Sequence, residues 1–91
     1  MIKPMPSQEV LHERFVYDTA SGKLLYKTSG KEAGKVKRRY RYICINKQVY
    51  LYHRVVWAMC NGKDPGNFIV DHIDRNSLNN HISNLRLCTQ Q

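Results

Sequence analysis

The residues with chemistry to offer stand together late in the chain, in Val70-Asp71-His72-Ile73-Asp74-Arg75-Asn76 and then Asn79-Asn80-His81-Ile82-Ser83-Asn84-Leu85. A short apolar run, Phe68-Ile69-Val70, delivers a carboxylate and an imidazole side by side and breaks at once into turn-forming polar residues. Neighbouring strand residues point to opposite faces, but where a strand frays into a loop both side chains can turn toward one phosphate-sized object. A carboxylate suits a hard divalent cation, and an imidazole, which titrates near neutral pH, suits removal of a proton from water. Together they describe hydrolysis of a phosphodiester. The alternative is that Asp71 caps a turn and His72 is an ordinary loop histidine, because Asp, Asn and Ser are also what turns are made from.

Such a pair needs a strand over residues 68–72 that ends against something solid. From His53 to Asn61, Val55, Val56, Met59 and Cys60 fall at i, i+1, i+4 and i+5, with Trp57 and Ala58 adding apolar surface. That spacing predicts a buried helix, stopped by Asn61-Gly62 and by Asp64-Pro65 beyond. Beyond the site strand, residues 74–80 are rich in Asn, Asp and Ser that bond their own backbone. A short helical turn around His81 to Asn84 and a second strand, Leu85-Arg86-Leu87-Cys88-Thr89, are expected to follow.

Upstream, Ser7 is placed to cap a short helix reaching about Arg14. Residues 15–27 hold two apolar runs around a glycine-containing turn and predict a β-hairpin. Residues 28–34, small and glycine-flanked, predict a mobile loop. The most basic segment comes next, Lys35-Val36-Lys37-Arg38-Arg39-Tyr40-Arg41-Tyr42. As one strand it would alternate guanidinium groups and tyrosines between faces, either to meet phosphates or to discourage edge pairing. A second hairpin joins Ile43-Cys44-Ile45 to Val49-Tyr50-Leu51-Tyr52, with Asn46 accepting a positive φ.

The chain has 91 residues, which predicts a single domain over 1–91, with a hairpin region to about 50 and a helix and site core from about 51. Fifteen Lys and Arg against 7 Asp and Glu give a net charge of +8, which favours a polyanionic partner. No apolar run approaches membrane-spanning length, and Met1-Ile2-Lys3-Pro4-Met5-Pro6 lacks the apolar core of a signal peptide, so no membrane partner is expected. Cys44, Cys60 and Cys88 are odd in number and contain no C-x-x-C pair. That argues against a disulfide framework and against structural zinc. Their apolar neighbours predict buried free thiols in a reducing cytoplasm.

Three stretches carry a resemblance: Tyr52-His53-Arg54-Val55-Val56-Trp57-Ala58, Val70 to Asn76, and Asn79 to Arg86. They resemble the HNH endonucleases of phages and mobile introns, also called His-Me finger or ββα-metal nucleases. That family carries H-R-(apolar)-(apolar), then V-D-H-x-(D/N)-(G/x)-N, then N-N-x-(apolar)-x-N-L-(R/E), and each fixed position is filled here. The resemblance implies an α+β fold: antiparallel hairpins and a buried helix, followed by a ββα-metal finger truncated before its final helix. It implies Asp71 as metal ligand, His72 as general base and Asn84 as the side chain that orients the imidazole. It also implies one divalent metal ion, most simply Mg²⁺, no small-molecule cofactor, and products with a 3′ hydroxyl and a 5′ phosphate. His53 begins the helix either as a site residue or as a hydrogen-bonded packing residue, and His81 falls at a variable position of the pattern.

The implied function is a metal-dependent endonuclease acting on double-stranded DNA, with Lys35, Lys37, Arg38, Arg39, Arg41, Arg54 and Arg75 as its DNA contacts. The alternatives are a DNA-binding module with an inert finger remnant, and an interaction module whose charge serves solubility. In relatives a second metal ligand comes from the helix after the second strand, a position just beyond Gln91. A fragment of a longer enzyme, a metal held by Asp71 with phosphate and water, and loss of cleavage all account for that departure.

Overall fold

The computed structural model describes residues 4–89. In chain order the elements are α1 (Gln8–Arg14), β1 (Phe15–Asp18), β2 (Lys23–Tyr26), β3 (Lys35–Lys37), β4 (Tyr40–Ile45), β5 (Gln48–Leu51), α2 (Tyr52–Asn61), β6 (Ile69–His72) and β7 (Leu85–Cys88), with a turn of 3₁₀ helix at Ile82–Asn84 before β7. The strands form three small antiparallel sheets, β1-β2, β3-β4-β5 and β6-β7. No one of them is large enough to make a core alone. They gather instead on α2, which packs against α1, β1, β4, β5 and β6.

Helix α2 can serve all three sheets because it is apolar nearly all round. Tyr52, Val55, Val56, Trp57, Ala58 and Met59 are buried in one cluster with Leu11, Phe15, Leu24, Ile43, Ile45, Val70 and Leu85. It ends where Gly62 takes a left-handed conformation (φ 72°) and its N–H bonds the Ala58 carbonyl. Ser7 caps α1, its hydroxyl accepting from Val10 N at 3.2 Å. The β4–β5 turn carries positive φ at both Asn46 (51°) and Lys47 (66°), the twist a two-residue hairpin requires.

Three expectations need correction. The basic segment is a hairpin and not one strand: the chain reverses at Arg38-Arg39, where Arg38 has φ 61°, and Lys37 pairs with Tyr40. Residues 28–34 are tethered to the first hairpin. Ala33 is fully buried and donates to the Leu24 carbonyl at 2.8 Å, while Tyr26 donates to the Lys31 carbonyl at 2.9 Å. The cysteines are not buried: Cys44 and Cys60 are exposed and Cys88 is half-buried. Strand alternation explains Cys44, which faces outward between the buried Ile43 and Ile45.

Two tyrosines wire the sheets together. The Tyr52 hydroxyl donates to Glu32 Oε2 at 3.0 Å and accepts from Leu24 N at 2.6 Å, and burial pushes its pKa well above the usual range. Tyr17 on β1 accepts from Ile82 N at 2.9 Å and so ties the first hairpin to the segment leading into β7.

Candidate active site

Strand β6 ends at His72, and its register with β7 sets Asp71 opposite Arg86 and His72 opposite Leu85. Val70 and His72 face the core while Asp71 lies half-exposed on the other side. The twist at the strand end nevertheless brings both functional residues to one opening. Asp71, His72, Ile73, Arg75, Ser77, Arg86 and Tyr40 line a cleft of about 290 Å³.

His72 is 7% exposed and held from two directions. Its Nε2 lies 2.7 Å from Asn80 Oδ1, in a buried contact. With the amide oxygen turned to the ring, Nε2 carries the proton and Nδ1 keeps the lone pair. From the helix side the ring of His53 meets it edge-on, at 4.5 Å between centroids.

His53, at the first turn of α2, is buried, packs against Tyr40 at 6.0 Å and donates to the Val70 carbonyl. Burial above all, and then the neighbouring His72 and Arg54, push its pKa down to about 4. His53 is therefore neutral at pH 7. It buttresses the strand end behind Tyr40 and His72, and it is not among the residues that line the cleft.

Asn84 does not touch the imidazole, which corrects the role expected for it. Its Oδ1 accepts from Asp74 N at 3.0 Å, and its Nδ2 donates to Asp74 Oδ1 at 2.8 Å and to the Asn79 carbonyl at 2.9 Å. It staples both ends of the loop that carries Asn80, and Asn80 makes the ring contact. Asp74 closes the same loop by accepting from Asn76 N and from Asn79 Nδ2, both at 2.8 Å. The Asn79 bond, with those of Asn76 and Asn84, holds the Asp74 carboxyl below its usual pKa. The signal for Asn80 was present in the sequence, as the second residue of the Asn79-Asn80 pair.

His81 is also structural. Its Nε2 donates to the Thr19 carbonyl at 3.0 Å and its Nδ1 accepts from Ser83 N at 3.2 Å. Gly22 makes that approach feasible: at φ +73° a Cβ there would lie 2.8 Å from three His81 atoms.

The cations divide into two groups. Arg41 and Arg54, expected to meet DNA, are committed inside the protein. Arg41 donates to the carbonyls of Ala33 (2.9 Å) and Gly34 (3.1 Å), pairs with Glu32 at 3.5 Å and lies over the Tyr52 ring. Arg54 spans the carbonyls of Phe68 and Gly66, both at 2.8 Å, and its partial burial lowers its pKa. Lys35, Lys37, Arg38, Arg39 and Arg75 are exposed. Ser77, which lines the cleft, donates its hydroxyl to the Arg39 carbonyl and so fastens the basic hairpin turn beside it.

Asp71 is the one carboxylate lining the cleft. Its Oδ2 receives Arg86 Nη2 at 3.1 Å and Nε at 3.2 Å. Among the described residues no group of three His, Cys, Asp or Glu side chains is placed to hold a metal ion. A hard cation of the Mg²⁺ type commonly takes one or two carboxylates and completes its shell with phosphate and water. Asp71 is the residue in this cleft that would hold such a cation, with phosphate and water left to complete the shell.

Comparison with known proteins places this arrangement. Residues 50–91 match the sequence profile of the family described as HNH endonuclease. Over 40 residues, 43% of this chain and 21% of the relative, the sequence is 52% identical to the Uncharacterized HNH endonuclease L560 of Acanthamoeba polyphaga mimivirus. Over 35 residues, 38% of this chain and 29% of the relative, it is 49% identical to Protein 3.8 of Escherichia phage T7. The chain thus spans less than a third of the length of either curated relative. Its fold is similar to that of the HNH homing endonuclease I-HmuI, solved in a study of DNA binding and cleavage, with a TM-score of 0.65 and 24% identity over 97% of this chain and 53% of that one. The α+β fold is thus similar to that of an HNH homing endonuclease along almost the whole chain, and the segment that carries the site, residues 50–91, matches the HNH endonuclease family by sequence.

Proposed function

We propose that the cleft at the end of β6 hydrolyses phosphodiester bonds of double-stranded DNA with the help of one divalent cation held at Asp71. The observation that carries this reading is that Asp71 and His72 line one cleft while Asn80 fixes the imidazole by its far nitrogen. Nδ1 of His72 is then the basic atom. It takes a proton from a water whose oxygen attacks phosphorus as the bond to the 3′ oxygen breaks, leaving a 5′ phosphate and a 3′ hydroxyl protonated from solvent. Such a step needs water, phosphorus and leaving oxygen in line, and a ring clamped between Asn80 and His53 costs little to orient. When bound, the cation, Mg²⁺ by hardness, supplies neutralisation of the charge growing on the departing oxygen.

Lys35, Lys37, Arg38, Arg39 and Arg75 supply the phosphate contacts that hold the duplex over the cleft. A DNA-binding module without cleavage is the second reading. It is favoured by the pairing of the Asp71 carboxylate with Arg86 and by the lack of a three-ligand group among the described residues. Supercoiled plasmid incubated with the protein and Mg²⁺ separates the two. Relaxed or linear product from the wild type, and none from His72→Ala at equal DNA retention, supports hydrolysis; retention with no product from the wild type leaves the binding module.

A further inference from the structure

Arg86 sits on the one carboxylate that the proposed cation needs. We propose that Arg86 is the resident counter-ion of Asp71 and exchanges partners on substrate binding, passing from the carboxylate to the phosphate as the divalent cation takes its place. This rests on the assignment of Asp71 as the cation's ligand.

The pair is built for exchange. Asp71 and Arg86 are cross-strand partners on β6 and β7, so the backbone register holds them opposite each other. Both guanidinium bonds fall on the same oxygen, Oδ2, and the two side chains are 44% and 58% exposed. An exposed ion pair of this kind gains little over hydration and is easily displaced. Arg41 and Arg54, by contrast, each give two bonds to backbone carbonyls and have nowhere to go. Cys88, two residues along the same strand, also interacts with Arg86. Arg86 also lines the cleft itself, beside Arg75, where a phosphate would lie.

A dication and a guanidinium on one carboxylate repel each other. A guanidinium fork fits a phosphate in two-point geometry and loses little by leaving Asp71 for it. Free protein therefore binds the cation weakly, because Arg86 competes for Asp71. DNA relieves the competition by giving Arg86 another anion, and by linkage the cation must strengthen DNA binding by the same factor. Cation and duplex load together.

Two measurements test this. Mn²⁺ titrated calorimetrically into DNA-free protein should bind Arg86→Gln roughly two- to fivefold tighter than wild type, the scale of an exposed ion pair, and Asp71→Asn much more weakly than either. In a His72→Ala background with Mg²⁺, where DNA is not cut, adding Arg86→Gln should lower the slope of log affinity against log salt by about one, the signature of one lost phosphate contact. Arg86→Lys, which keeps the charge and loses the fork, should leave Mn²⁺ affinity near wild type. Unchanged or weaker Mn²⁺ binding by Arg86→Gln, or an unchanged salt slope, overturns the exchange while leaving Asp71 as ligand. Mn²⁺ binding indifferent to Asp71→Asn overturns the ligand assignment and the exchange with it.

Discussion

At the scale of single residues, the site divides orientation from scaffolding between two asparagines four positions apart. Asn80 touches the imidazole, whereas Asn84 touches only the loop. Asn80→Ala should therefore lower the cleavage rate about 10- to 100-fold in a single-turnover assay with DNA retention nearly unchanged, and leaving the buried His72 N–H unpaired should also cost about 1–3 kcal/mol in urea unfolding. Asn84→Ala removes three hydrogen bonds of a buried amide and should cost about 1–3 kcal/mol in urea unfolding. His53 makes a separate prediction about pH. Its pKa of about 4 in the folded protein lies below the ordinary value of 6.5 that the unfolded chain regains, so the unfolded state binds the extra proton between those values. This contribution is complete above pH 6.5 and is lost as pH falls toward 4. Stability should drop by about 2 kcal/mol between pH 7 and pH 4.5 on this account. His53→Leu, which cannot titrate, should start lower but lose that part of the slope.

At the scale of elements, the site depends on fastenings that charge counting misreads. The first turn of α2 reaches the segment before β6 through Arg54, whose guanidinium satisfies two carbonyls. Arg54→Ala should cost about 1–2 kcal/mol of stability in thermal or urea unfolding and leave the salt dependence of DNA binding unaltered, the reverse of a phosphate contact. Gly22→Ala should destabilise as well. The new Cβ would meet His81 at 2.8 Å and the residue would be held at φ +73°, so the β1–β2 turn would part from the segment before β7.

Most of the elements were legible because their signals are local. The Ser7 cap, the period of α2 and the positive φ at Asn46 each follow from neighbours in sequence. The break at Arg38-Arg39 was not, since two arginines are no turn signal and the reversal is supported instead by pairing with β4 and by the Ser77 bond. The partners of Arg41, Arg54, Asn80 and Asn84 were likewise out of reach. Which carbonyl or ring a long polar side chain meets is decided by the packing of α2 on three sheets, and no spacing along the chain encodes that.

At the scale of the whole molecule, a net charge of +8 acts through a subset of its cations. Lys35, Lys37, Arg38, Arg39 and Arg75 point outward, and the hairpin turn that bears two of them is bonded to a residue lining the cleft. Neutralising any one of these five should reduce the salt slope of DNA binding by about one, whereas Arg41→Gln should disturb the fold first and the slope little. The composition predicts a polyanionic partner, and the three quoted stretches carry the resemblance to HNH endonucleases that residues 50–91 match by sequence. Where the charge is usable became visible only when α2 had drawn the hairpins together.

The most direct measurement is single-turnover cleavage of supercoiled DNA by wild type and His72→Gly, with and without imidazole in solution. If Nδ1 of His72 accepts the proton of the attacking water, the variant should be slower by about 10²- to 10⁴-fold at equal DNA retention, and added imidazole should restore part of the rate. Cleavage by His72→Gly at the wild-type rate would contradict the assignment at its root.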